Sequence, residues 1–369
     1  MKLANKVSRR SFLKGAVVGV AAIKGVDLLS SPPPVSAYTC DQTDNTPATI
    51  RMGIFAMSLA LTAAQAKGFY AQQNLSVQYA QVNSSTSQFA SLRDNQYDVI
   101  QTAADNVANY RLNKSNSLGA TINVQMINGL DYGLGLTLVA QPGITSAEAL
   151  RGKTLSVDAP DSGFAYVLYK ILSSHGLEQE RDYQVVSSGG TLNRFQLLLA
   201  GKVDGTLLNN GFEVRAAYQG QTLLDSVYSV VNPYLGSTIA AKQEWLQSHR
   251  DVAVRLIRAY YDAVQWSFDP NNEEEAIGLL MAQPNTPRDL AEQIYAEQLR
   301  LGQGIIPDAN IDRHALLNVL KLRAQFNGFD NPQNLRYLAS PASGLYDLSY
   351  YYQALREVGS YKRGYKARL

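Results

Sequence analysis

Four short stretches set polar side chains where the chain turns from a strand into a helix. They are Phe55-Ala56-Met57-Ser58, Thr102-Ala103-Ala104-Asp105-Asn106, Asp161-Ser162-Gly163-Phe164 and Asn209-Asn210-Gly211-Phe212-Glu213. A helix start leaves backbone N–H groups unpaired and carries partial positive charge, which suits a carboxylate, sulfonate or nitrate. Ser58, Thr102, Asp105, Asp161, Ser162, Asn210 and Glu213 are therefore the candidate ligand-binding residues. Asp105 and Glu213 accept from an amine or a ring N–H, which argues against a purely anionic ligand. Phe55, Phe164, Phe212, Tyr110 and Tyr132 can stack on a ring. Each of these residues also has an ordinary structural use. Ser58, Asp105 and Ser162 are common helix caps, Asn209-Asn210-Gly211 is common turn chemistry, and an aromatic near a helix start usually packs in the core.

Catalytic patterns are poor by comparison. His175, His249 and His314 are scattered without metal-ligand spacing. There is no Gly-x-Ser-x-Gly elbow and no phosphate loop, and "GLDYGLGL" lacks the dinucleotide fingerprint. The single cysteine, Cys40, excludes an intrachain disulfide. No catalytic residue, metal or cofactor is expected, and the chain does not read as an enzyme.

The elements that position the four turns repeat. "ATIRMGIF", "LSVQYAQV" and "YDVIQTA" read as strands, each followed by a helical stretch. From Gly152 the order returns: "KTLSVDA", "YQVVSS" and "VDGTLL" are strands, with helices "FAYVLYKILSSHG", "TLNRFQLLLAG" and "NNGFEVRAAYQG" between and after them. Thr191 reads as an N-cap and Phe164, Val167, Leu168, Ile171 and Leu172 as one packing face. Gly68 and Gly176 are equivalent in the two units, as are Asp98 and Asp204. Alternation of this kind predicts two α/β lobes with open, mainly parallel sheets. Ligands bind such sheets at the carboxyl ends of the strands, so facing lobes would bring the four turns into one cleft. The apolar strand Leu134–Ala140 and the stretch "VNPYLGSTIAAK" are the candidate hinge strands. Beyond Lys242 the pattern is helical, with Asp312-Arg313-His314 opening one helix. A Tyr-rich segment from Asn331 suits a docked helix before a basic end.

The first residues carry an export layout: Ser8-Arg9-Arg10-Ser11-Phe12-Leu13-Lys14, a short apolar stretch from Ala16 to Ile23, then Val35-Ser36-Ala37. This predicts a twin-arginine signal peptide over 1–37, followed by a linker over 38–47. Six of the 33 basic side chains and one of the 31 acidic ones lie within 1–37, which leaves a net charge of −3 beyond them. That balance has no electrostatic footprint for nucleic acid. No other stretch reads as a membrane span.

Four segments in order, "KGFYAQQNLSVQ", "YDVIQTAADNVANY", "LRGKTLSVDAPDSGFAYVLYKIL" and "LLAGKVDGTLL", resemble the substrate-binding proteins of ABC importers. The resemblance is to the group handling alkanesulfonates, taurine, nitrate and the pyrimidine precursor of thiamine, and it covers about residues 48–330. It implies the two-lobed α/β fold of type II periplasmic binding proteins, each lobe a mostly parallel sheet flanked by helices, joined by two hinge strands. The expected division is lobe I over 48–136, lobe II over 137–235, a helical return to lobe I over 236–330, and a C-terminal helix and tail over 331–369. The implied role is capture of a small polar or aromatic organic solute (sulfonate, carboxylate or pyrimidine-like). Implied partners are that small-molecule ligand, an ABC permease in the inner membrane and the twin-arginine export machinery, around a periplasmic monomer. Family ligand contacts carried over by position fall on Ser58, Thr102, Asp105, Asp161, Ser162 and Asn210. Relatives often have a small residue and proline after the third strand of each lobe. Asp105-Asn106 and Asn210-Gly211 stand there instead, so the ligand can differ from a simple sulfonate. A related branch that makes the thiamine pyrimidine uses a cysteine-rich iron motif, which one cysteine excludes. The alternatives are an exported enzyme or cofactor-binding protein, or a ligand sensor, on the same fold.

Overall fold

A computed structural model describes residues 45–356. The expected signal peptide, Cys40 and the basic end after Ser360 lie outside the described residues. Ten strands form two five-stranded sheets: β1 (Ala48–Ile54), β2 (Leu75–Gln81), β3 (Val99–Ala103), β4 (Val124–Gly129), β5 (Thr137–Ala140), β6 (Thr154–Val157), β7 (Gln184–Ser187), β8 (Gly205–Leu208), β9 (Thr222–Ser226) and β10 (Ser237–Lys242). Their orders are β2-β1-β3-β10-β4 and β7-β6-β8-β5-β9.

The two orders are the same plan. β1 runs parallel to β2 and β3, while β10 lies antiparallel between β3 and β4. In the second sheet β6 runs parallel to β7 and β8, and β5 lies antiparallel between β8 and β9. Each sheet thus has four strands in one direction and one reversed, and the reversed strand follows a crossover from the other sheet. The chain crosses over 130–136 and returns over 227–236. The apolar run expected as a strand from Leu134 pairs only from Thr137, because Gly133, Leu134 and Gly135 all have positive φ.

β4 and β9 are additions to the elements expected from sequence. β4 is buried at every position and β9 is a half-buried edge strand, so neither shows a clean period-two alternation.

The main helices are α1 (Leu59–Ala66), α2 (Ser85–Arg93), α3 (Ala104–Leu112), α4 (Gly163–Ser174), α5 (Thr191–Leu199), α6 (Phe212–Tyr218), α7 (Arg250–Phe268), α8 (Glu273–Met281), α9 (Arg288–Gln298), α10 (Arg313–Gln325) and α11 (Ser349–Arg356). One core packs Ile50, Met52 and Ile239 of the first sheet against α1 and α7. A second runs from Ile100, Val124 and Met126 through Leu136 and Leu138 to Leu155, Leu168 and Leu172 of the second sheet and α4. α4 keeps its expected face, with Val167, Leu168, Ile171 and Leu172 fully buried, whereas Phe164 stays partly exposed. Asp312 caps α10 by accepting from the N–H groups of His314 and Ala315, as expected. α5 begins at Thr191 with Gly190 as its cap, one residue earlier than expected. α11 docks through buried Tyr350 and Tyr351, and the Tyr351 hydroxyl donates to the carbonyl of Asp308 at 2.8 Å. Among the described residues no helix is long and apolar enough to cross a membrane.

Candidate functional site

The strand ends of both sheets meet around one cavity of about 530 Å³, its open mouth included. Phe55 and Ala56 reach it from the end of β1, and Gln101, Ala103 and Asn106 from the β3–α3 turn. The facing wall has Asp158, Ser162 and Phe164 from the β6–α4 turn, and Asn209 and Asn210 from the β8–α6 turn. Thr191 and Arg194 on the first turn of α5, Leu134 of the first crossover and Ser237 at the start of β10 also line it. All four turns singled out in the sequence therefore contribute to the cavity wall.

Individual residues divide. Ser162 lines the cavity while its hydroxyl caps α4, accepting from the Ala165 N–H at 3.3 Å. Asn210 lines it in the left-handed conformation (φ 60°), followed by Gly211 at φ 85°, a pair of residue types that tolerate positive φ. The other five candidates lie behind the wall. Ser58 caps α1, accepting from the Leu61 N–H. Thr102 is fully buried in β3, where the Asn106 amide donates to it at 3.4 Å. Glu213 is buried against Gly135 and accepts from the Gly211 N–H, and burial pushes its carboxyl up to about 8.

Asp105 does not cap α3, whose N-cap is Ala103 with no side-chain bond. It forms a buried bidentate pair with Arg323 of α10, at 2.8 Å to Nε and 2.6 Å to Nη2. Burial pushes its carboxyl up, and the guanidinium pulls it back. Arg323 also donates to the Asp161 carbonyl at 2.6 Å, and the Asp161 carboxylate accepts from Asn109 at 3.0 Å and Ser117 at 3.3 Å. Asp105 and Asp161 thus hold a seam between elements of the two sheets. Gly163 fits against Asp105 only because it lacks a side chain: a Cβ there would come within 2.4 Å of the Asp105 Cβ.

Two more seams border the cavity. The Ser85 N–H donates to the Asp158 carboxylate at 3.2 Å, and the Gly190 N–H to the Asn83 carbonyl at 2.7 Å. Gln298 of α9 donates to Asn210 Oδ1 at 2.9 Å and accepts from the Leu59 N–H at 2.6 Å.

Of the aromatics, Phe55 and Phe164 reach the cavity and the other three have structural partners. Tyr110 stacks on Phe89 at 4.0 Å between ring centroids, Phe212 packs on Phe195, and the Tyr132 hydroxyl donates to Asp312.

The sequence reading missed Arg194, Asp158 and Gln101, and it named Asn106 only as part of a turn. Arg194 is only 2% exposed and donates to the carbonyls of Gly189 and Leu207 and to the Thr191 hydroxyl. Burial lowers its pKa to about 10 even though the Asp158 charge acts the other way. Burial likewise raises Asp158. The available signal was position: Arg194 stands one turn into a helix that follows a strand, in "SSGGTLNRF".

Two five-stranded α/β lobes joined by two crossovers, with a cavity at facing strand ends, define the fold of the periplasmic binding proteins. The chain belongs to the NMT1/THI5-like family, whose model matches residues 57–274. In fold it is similar to the periplasmic nitrate-binding protein NrtA of Synechocystis PCC 6803, with a TM-score of 0.68, 12% identity and coverage of 85% of this chain and 89% of that one. It is also similar to the alkanesulfonate-binding protein SsuA of Xanthomonas axonopodis pv. citri bound to MOPS, with a TM-score of 0.63, 15% identity and coverage of 80% and 98%. A stretch of 131 residues, 34% of this chain, is 25% identical to the bicarbonate transport ATP-binding protein CmpC of Synechocystis. The chain spans 19% of the length of that curated relative.

Proposed function

We propose that this chain is the solute-binding component of an ABC import system. It takes a small polar or aromatic organic solute (sulfonate, carboxylate or pyrimidine-like) into the cavity between the lobes and presents it to a membrane permease. The observation that carries this reading is one cavity walled by strand-to-helix turns from both sheets. The similarity in fold to NrtA and SsuA supports it. Residues 48–136 and 236–330 form lobe I in this reading and 137–235 lobe II. Bending over 130–136 and 227–236 opens and closes the cleft. Ser162 and Asn210 contact the solute directly, while Ser58, Thr102, Asp105, Asp161 and Glu213 hold the walls and the closed form. The protein is exported by the twin-arginine route and works in the periplasm as a monomer, without catalysis.

A solute shifts the open–closed equilibrium only by its differential affinity for the closed form. Reversing a mostly open population takes about 5 kcal/mol. Two or three charge-assisted hydrogen bonds at ~1.5–3 kcal/mol each supply it. The test is a thermal-shift screen against sulfonates, carboxylates, nitrate and pyrimidines. A solute that binds only the folded state raises apparent stability by RT ln(1+[L]/Kd). A screen in which nothing raises the melting temperature would count against solute capture.

A further inference from the structure

A buried acid sits behind the cavity wall at a point where three elements meet. Glu213 stands in the first turn of α6. Its Oε1 accepts from the Gly211 N–H at 3.3 Å, and its Oε2 has no hydrogen-bond partner among the described residues. The first crossover encloses it on one side, where a Cβ on Gly135 would stand 2.6 Å from Glu213 Oε1. α6 itself, which follows β8 of the second sheet, forms another side. The third is α9, which comes after the return to the first sheet and packs on α6. A Cβ on Gly211 would stand 2.9 Å from Ile294 of α9, and Val214 of α6 joins the same apolar cluster as Leu290 and Ile294. Gln298 and Arg215 fasten this contact, the first donating to Asn210 at 2.9 Å and the second to Thr286 and Gln283 at 2.8 Å each. The burial of Glu213 therefore depends on α6 and α9 staying together.

The charged and titratable groups that face it are Arg215 on its own helix, Glu297 on α9 and Tyr228 of the second crossover. Burial pushes its carboxyl up to about 8; Glu297 adds to that push, while Arg215 and two backbone N–H groups oppose it. An ionised carboxylate in that place lacks the partners that a buried charge needs. Parting α6 from α9 lets water reach it and returns it toward the ordinary carboxylate range.

We propose that closure of the cleft takes up one proton at Glu213, which makes the α6–α9 contact a latch that loosens as pH rises. This rests on the solute-capture reading, in which the lobes part and meet, and adds a control to it. The proton comes from solvent on closing and returns to it on opening. The closed form holds it up to about pH 8, and the open form gives it up above the ordinary value of about 4.3. Between those limits, each rise of one pH unit favours the open form by up to about tenfold.

The test is small-angle scattering of the solute-free protein beside Glu213→Gln, which keeps the shape and carries no charge. From about pH 5.5 to about pH 8.5 the closed-to-open ratio of the wild type should fall by as much as about a hundredfold, read as a rise in radius of gyration. Glu213→Gln should keep the wild type's low-pH radius throughout. Asp131, raised by burial to about 6 in the first crossover, is present in both proteins and cancels from the comparison. Glu297→Gln removes the facing like charge, so it should expand less than the wild type at high pH. Circular dichroism at each point should show unchanged helix content. Should Glu213→Gln fail to fold, the wild-type curve and Glu297→Gln still decide. A wild-type radius that ignores pH overturns the inference. So does a Glu213→Gln protein that follows the wild type or is expanded at every pH, or loss of helix in place of expansion. Each of those results leaves solute capture standing, which falls only if the whole thermal-shift screen is silent.

Discussion

Gly163→Ala separates closure of the cleft from the chemistry of its walls. Gly163 opens α4, where alanine is the better helix former by about 0.5–1 kcal/mol. Its φ is not in the left-handed region, so a side chain is allowed locally. The obstacle lies across the seam: a Cβ would stand 2.4 Å from the Asp105 Cβ and 2.9 Å from its Cγ. Ordinary contact begins near 3.4 Å, so the seam must open by about 1 Å. Asp105 cannot swing aside without leaving Arg323, which holds both of its oxygens. Overpacking of this kind costs about 1–3 kcal/mol. At 1.4 kcal/mol per tenfold, solute affinity should fall by about five- to 150-fold. Because the clash exists only when the lobes meet, the melting temperature without solute should hold or rise. The assay is calorimetric titration with the solute found by screening, alongside small-angle scattering with and without it. The wild type should contract on saturation and the variant should contract less. Unchanged affinity with full contraction would refute the assignment of this seam to closure.

Gly278→Ala is the matched control: it lies inside α8 with nothing near its added Cβ, so it should raise stability by about 0.5–1 kcal/mol and leave binding alone, as thermal unfolding and titration will read. Hydrogen bonds to Asp225 and Glu148 raise the pKa of His175. Its contribution is present below the ordinary histidine value of about 6.5 and is lost as pH rises through the higher folded value, so the melting-temperature gap to His175→Gln should shrink with rising pH. Glu213 titrates near 8 in the folded protein because of burial, so it weakens the fold as pH climbs from the ordinary carboxylate range toward 8. Glu213→Gln, which keeps the neutral shape, should gain in urea unfolding at pH 8 relative to pH 5; an equal effect at both values would contradict the burial reading.

The strands and helices within the two repeated units and the four turns were legible in the sequence because their causes are local, whereas β4 and β9 were not. Apolar periodicity marks an element, and a serine such as Ser162 or an aspartate such as Asp312 marks where a helix starts. Position at a strand end then followed from topology. Which side chain at a turn reaches the cavity did not follow, because it depends on what the opposite lobe presents. Asp105 has the type and place of a cap or a ligand group, yet it meets an arginine 218 residues away. Asn210 meets Gln298 at a separation of 88 residues, and Ser85 meets Asp158 at 73. Arg194 reads in sequence as one polar position on an amphipathic helix, and only the packing of α5 beneath the cavity buries it with hydrogen bonds to neutral oxygens alone. Sequence determined the elements and their turns through short-range sterics and hydrogen bonding. The tertiary structure decided which polar groups were left unpaired beside the cavity, because pairing is settled by contacts between distant parts of the chain.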